Sequence, residues 1–226
     1  MNIQIDRAEV LRYLGYGGQE LDEALSQLID SSIADCLAWA KPAYTHRTFG
    51  LVPAPGGIGL AGTSLILAGE SIAKHLEGAK GAVLMAATLG LGLENQLKRM
   101  NGRDMTRSLI VDSAATDCIE KVCDLVEEEI RQEQAAQGLS INFRFSPGYG
   151  DLPLETQPAF LSVLDAGRRI GLTCTSNLIM LPRKSVTAIM GIFENPAEPA
   201  PKSACSTCNL AANCPYRKSG KSCGHR

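Results

Sequence analysis

Apolar residues recur at three- and four-residue steps through most of the chain, and the breaks in that rhythm mark its elements. Val10, Leu11 and Leu14 predict a first short helix, closed by Gly15-Tyr16-Gly17-Gly18. Leu21, Leu25, Leu28, Ile29, Ile33 and Leu37 predict a second, amphipathic helix. Asp22 near its start suits the helix dipole, and Cys36 and Trp39 near its end are expected in the core. Residues 41–63 switch to Pro, Gly and β-branched types, which predicts turns around short strands. A helix is predicted over Ile66–Leu76, with Leu67, Ile72 and Leu76 inward, and a strand over Gly81–Thr88. Leu89-Gly90-Leu91-Gly92 then turns into a helix that runs through Met100.

Residues 104–137 form the longest periodic segment. Leu109, Ala114, Ile119, Val122, Leu125, Val126 and Ile130 are spaced for one buried face, and Gly138 is placed to cap the helix. Asp112 and Glu120 share a rough face of it beside apolar neighbours, so each must be solvated, paired or bound to a ligand. Ser140–Phe145 reads as a strand, and Thr156–Arg169 as one or two short helices with Phe160, Leu161 and Leu164 inward. Leu172–Met180 and Ser185–Phe193 read as strands. The last is apolar on both faces, as expected of a strand covered on both sides.

With 226 residues, 45% of them apolar and 20% charged, the chain has the composition of a globular protein large enough for a substantial core. A formal charge of −2 gives no reason to expect nucleic acid or an anionic membrane as partner. No apolar run reaches the length of a membrane span, and no signal peptide is visible at the start, so the sequence is read as cytoplasmic. In a reducing compartment its eight cysteines are better read as metal ligands or buried thiols than as disulfides. Cys118, Cys123 and Cys174 are expected to be small buried residues.

Residues 194–204 are a proline-rich linker that is expected to end the folded body, residues 1–193. Beyond it lies a Cys-rich tail, residues 205–226, with Cys205-x-x-Cys208, Cys214 and Cys223. So short a segment has almost no apolar core, and four thiolates can organise it around zinc or an iron–sulfur cluster; the remaining alternative is redox thiols or no metal. The spacing fits neither common zinc fingers nor the bacterial ferredoxin run.

The stretch least explained by packing is Arg144-Phe145-Ser146-Pro147-Gly148-Tyr149-Gly150-Asp151-Leu152-Pro153, running on to Gln157. Two prolines and two glycines within seven positions make a shaped, low-entropy loop. Pro147 pushes Ser146 into an extended conformation, and Gly148 and Gly150 permit positive φ or close approach of a ligand. Arg144 sets a five-donor fork at the loop entrance, suited to a carboxylate or phosphate. The plain reading is a rigid turn from strand to helix; the functional one is a main-chain cradle for a small zwitterionic or anionic ligand.

The pattern Arg-x-x-Pro-Gly-Tyr-x-x-x-Pro resembles the signature loop of the activation domain of cobalamin-dependent methionine synthase, which binds S-adenosylmethionine. Gly171-Leu172 and Met180-x-Pro182-x-x-Ser185-Val186 sit at spacings similar to that domain's later segment, and the whole looks closest to the stand-alone bacterial form. The resemblance implies a single α+β domain with a twisted antiparallel sheet flanked by helices. It implies that Arg144 holds the methionine carboxylate and that Phe145, Ser146, Pro147, Gly148 and Tyr149 line the adenosyl site. Glu120 falls where the family has a carboxylate near the ligand, and Glu155 where it has a histidine. Met190, Gly191, Ile192 and Phe193 stand where the family has neighbouring tyrosines. The implied function is that of an accessory subunit, with no catalytic residue of its own, which positions S-adenosylmethionine for reductive remethylation of cob(II)alamin. No Asp-x-His-x-x-Gly cobalamin motif occurs, so the expected partner is a separate cobalamin-carrying methionine synthase, with a flavodoxin-like or other reductant. Two alternatives are a non-catalytic docking or regulatory module for a corrinoid protein, and an electron-transfer partner working through an iron–sulfur tail.

Overall fold

In a computed structural model of the chain, residues 1–194, 212–214 and 218 are described. Its elements are α1 (Arg7–Tyr13), α2 (Glu23–Trp39), β1 (Ala43–Ala54), β2 (Gly57–Leu60), β3 (Ile66–Leu67), α3 (Glu70–His75), β4 (Gly81–Thr88), α4 (Leu91–Met100), α5 (Met105–Ala135) and β5 (Ser140–Ile141). A 3-10 turn over Leu154–Thr156 leads to α6 (Gln157–Val163) and α7 (Ala166–Ile170), then β6 (Thr173–Cys174), β7 (Met180–Leu181) and β8 (Ser185–Phe193). The fold is the expected α+β domain: a six-stranded sheet in the order β3-β2-β1-β4-β8-β5, with helices flanking it. Every neighbouring pair is antiparallel. β2 pairs with β1 and β3, β5 with β8, and the Lys80–Ile192, Leu89–Lys184 and Lys41–Leu89 main-chain bonds fix the sense of the central strands.

The backbone groups into two compact units, and β1, β4 and β8 contribute residues to both. The first takes Met1–Arg47, Met85–Gln132 and Gln157–Thr187. Its centre is α5, where Val111, Ala114, Ala115, Cys118, Val122 and Cys123 are fully buried at steps of three, four and their multiples. Asp22 accepts a hydrogen bond from Leu25 N–H and so caps α2 outright. Asp112 pairs with Lys184 at 3.0 Å, which resolves that carboxylate as a salt bridge. Arg183 N–H donates to Glu94 at 2.7 Å, and Gln157, 2% exposed, exchanges hydrogen bonds with Thr187.

The second unit takes Thr48–Leu84, Glu133–Thr156 and the chain from Ala188. It holds the β1–β2–β3 hairpins, α3, β5 and the Pro/Gly loop, around Leu60, Leu67, Ile72, Leu76, Leu152 and Ile189.

Several expectations need correction. The helix expected over Ile66–Leu76 begins only at Glu70. Ile66 and Leu67 pair with Gly59 and Ile58 of β2, and Gly69 breaks the chain at φ 123°. β1 is not short: it runs twelve residues and tolerates Pro53 because its ladder ends one residue later. The strand over Ser140–Phe145 stops after Ile141 and resumes as a single bridge, Phe145 to Ile189. Leu172–Met180 is no continuous strand but the first arm and turn of the β6–β7 hairpin, bent where Leu178 takes φ 63°. Leu37, Leu109 and Leu125 lie on exposed helix borders, and Trp39 and Cys174 are half-buried. Gly81–Thr88 is buried at every position and β8 at all but two, which matches the reading of covered central strands.

Candidate functional site

The Pro/Gly loop hangs from β8 by two reciprocal main-chain bonds. Phe145 N–H donates to Ile189 O at 2.9 Å, and Ile189 N–H to Phe145 O at 2.8 Å. Beyond Phe145 the loop closes on itself. Tyr149 N–H reaches Ser146 O, Leu152 N–H reaches Tyr149 O, and Gly148 N–H returns to Leu152 O, all at 2.9–3.0 Å. Positive φ at Gly148 (89°) and Gly150 (55°) lets so short a loop fold back, and buried Pro147 and Leu152 pin it from below. Within the Arg144–Tyr149 set, Arg144, Phe145 and Ser146 are half-buried, while Gly148 and Tyr149 are exposed, Tyr149 by 61%. The backbone at Gly148 is open: a Cβ there would meet only Leu154, at 3.4 Å.

A second attachment, to α3, was not legible in the sequence. The Asp151 carboxylate accepts hydrogen bonds from Glu70 N–H (2.7 Å) and Ser71 N–H (2.9 Å), at a helix start whose own residues supply no side-chain cap. The Ser71 N–H above all, then that of Glu70, holds the Asp151 carboxyl below the usual carboxylate range. Two glycines make the approach possible. A Cβ on Gly69 would fall 2.7 Å from Asp151 Oδ1, and one on Gly150 would fall 2.5 Å from Ser71 Oγ. The available signal was a carboxylate inside a Pro/Gly loop; its partner lies about 80 positions away, beyond any local pattern.

Under the loop lies an aromatic file that the sequence reading also missed. The His75 ring meets Phe143 edge-on at 4.7 Å and Phe145 at 5.0 Å, and Phe145 meets Tyr149 edge-on at 6.2 Å. Asn142 straps the base of this file: its amide donates to His75 O at 2.7 Å and its Oδ1 accepts from Gly191 N–H at 2.7 Å. That side chain takes a ladder position, which explains why β5 ends where it does.

Of the predicted contacts, the structure therefore brings Arg144 to Tyr149 into one bounded loop. Glu155 is exposed in the 3-10 turn that follows. Glu120 belongs to the other unit, half-buried on α5, where its charge raises the pKa of Tyr13, after the larger effect of burial. Cys205, Cys208 and Cys223 lie outside the described residues; Cys214 is half-buried, forms no disulfide among the described residues, and its main-chain carbonyl accepts from Lys218 N–H. No helix among the described residues is long and apolar enough to cross a membrane.

No family model matches the sequence, and no curated protein matches it. Among solved structures the chain is similar in fold to a crystal structure of the MetH reactivation domain bound to AdoHcy. The two share a TM-score of 0.63 and 15% sequence identity, over 96% of this chain and 82% of that one. At that identity the likeness is one of fold.

Proposed function

We propose that this chain is a stand-alone activation subunit for a cobalamin-dependent methionine synthase. In this reading S-adenosylmethionine lies against the Arg144–Tyr149 loop. The Arg144 guanidinium pairs with the methionine carboxylate, and the open main chain around Gly148 lies against the adenosyl group. Glu120 and Glu155 are candidate contacts through the sequence resemblance alone. The observation that carries the reading is the loop itself, a main-chain shelf closed by its own hydrogen bonds with an arginine at its entrance, in a fold like that of the AdoHcy-bound reactivation domain.

The subunit's contribution is positioning. S-Adenosylmethionine, one electron and cob(II)alamin give methylcobalamin and S-adenosylhomocysteine. This chain holds the sulfonium methyl in line with cobalt, the synthase holds the corrinoid, and a flavodoxin-like or other reductant supplies the electron. We further assign Cys205, Cys208, Cys214 and Cys223 to one zinc ion or iron–sulfur cluster in a tail set off by the proline-rich segment 194–204. Titration calorimetry with S-adenosylmethionine tests the reading: saturable binding supports it. Absence of binding, with retained affinity for the corrinoid synthase, would leave a docking or regulatory module in its place.

A further inference from the structure

His75 ends α3 at the bottom of the aromatic file and is 9% exposed. Its Nδ1 faces the Asn142 amide at 3.5 Å, and its buried Nε2 makes no hydrogen bond of good geometry among the described residues, although the carbonyls of Ile189 and Phe143 lie close enough to favour a proton on the ring. A ring nitrogen kept from water without a well-formed hydrogen bond costs stability, which the packing around the ring must offset. What rests on the ring is Phe145, the residue whose two main-chain bonds hang the loop from β8 and whose Cζ would lie 3.5 Å from a Cβ on Gly150. Loop and imidazole therefore share one packing surface. Phe143 and Phe145 both pack on the ring, so lifting Phe145 from β8 removes one of its two aromatic neighbours.

We propose that His75 is a positioning residue for the 144–152 loop: its buried, uncharged ring is the seat on which Phe145 rests, and a proton on that ring releases the loop. The inference deepens the proposed S-adenosylmethionine site and rests on it only for the ligand. Burial lowers the imidazole to a pKa of about 4, opposed in part by the carbonyls of Ile189 and Phe143. The elements against it carry Glu70 and Lys74 on α3, Glu77 just after it, and Arg144, Tyr149 and Asp151 in the loop; β8 carries no titratable side chain. None of these charges is among the causes of the shift. Once the loop lifts, the ring returns to its ordinary range near 6.5, so acid favours the lifted form.

The experiment is hydrogen exchange on the full, ligand-free chain at pH 7 and pH 4.5, read as protection factors so that the intrinsic pH dependence cancels. The amides of Phe145, Gly148, Tyr149 and Leu152 report the loop, and Ala114 of α5 is the reference. A folded pKa of about 4 against 6.5 predicts a fall of roughly 50-fold in loop protection between the two pH values. The Ala114 amide keeps its protection, and in His75→Phe the acid loss of loop protection disappears. His75→Gln serves the same purpose should the phenylalanine variant fail to fold. Equal acid loss in wild type and variant, or no acid loss in wild type, would overturn the proposal. Because no ligand is present, failure of S-adenosylmethionine to bind would count against the proposed function and leave this result standing.

Discussion

Replacing Gly150 with alanine should uncouple the loop from α3. Gly150 sits at φ 55°, where an L-residue costs about 1 kcal/mol. The new Cβ would fall 2.5 Å from Ser71 Oγ and 2.7 Å from Ser71 Cβ. The hydroxyl can rotate away. The Ser71 Cβ cannot, because it is fixed to the first turn of α3, whose Glu70 and Ser71 N–H groups bind Asp151 one residue further along the loop. One backbone must yield, and overpacking of this kind costs about 1–3 kcal/mol. The unfolded chain loses entropy with alanine, which returns roughly 0.5 kcal/mol. The net expectation is a destabilisation of about 1.5–3.5 kcal/mol, or roughly 3–14 °C in melting temperature for a chain of this size. Gly148→Ala is the control for the contact: its φ of 89° lies further from the left-handed region and its backbone cost is at least as large, but its Cβ would meet only Leu154, at 3.4 Å from Cδ1 and 3.9 Å from Cβ. Urea unfolding of Gly150→Ala, Gly148→Ala, Ser71→Gly and the Gly150→Ala/Ser71→Gly pair closes the cycle. The overlap predicts that Ser71→Gly costs less in the Gly150→Ala background than in wild type. No coupling between Gly150→Ala and Ser71→Gly would mean that the two side chains do not compete for the same space, and would refute the reasoning.

Two further outcomes follow from the proposed sites. Arg144→Ala should weaken S-adenosylmethionine binding about 10- to 150-fold, the worth of one charge-assisted pair of roughly 1.5–3 kcal/mol, and unchanged affinity by calorimetry would remove Arg144 from the site. Protein purified without oxygen should carry zinc or iron near one site per chain by elemental analysis, with a brown colour if the metal is an iron–sulfur cluster; neither metal would refute the tail assignment.

The parts of the fold written in composition could be read directly. The all-apolar run of β4, the two-faced β8 and the four-residue steps of α5 each declare a buried element without help from the rest of the chain. The loop announced itself because Pro147, Gly148 and Gly150 have no other reason to cluster. Ile66 and Leu67 read as helix because a two-residue strand has no period; only its partner β2 defines it. The attachments that shape the candidate site were hidden for the same reason. Capping signals are sought within a few residues of a helix start, whereas α3 takes its cap from Asp151. Asn142 reads as a polar residue in a weak strand until Gly191 and the His75 carbonyl are seen on either side of it. His75 is one of three histidines in the chain, and nothing local marks it as the floor of a loop seventy positions later.

On the proposed reading, this chain delivers the methyl group of S-adenosylmethionine to cobalt held by another protein. The most direct measurement is label transfer. A methionine synthase without an activation domain is held as cob(II)alamin and mixed with methyl-labelled S-adenosylmethionine, a reductant and this protein, and label is followed into methylcobalamin. Transfer should depend on the protein, saturate with its concentration and fall in the Arg144→Ala variant. Transfer no faster than without the protein, while the protein still binds the synthase, would contradict that reading.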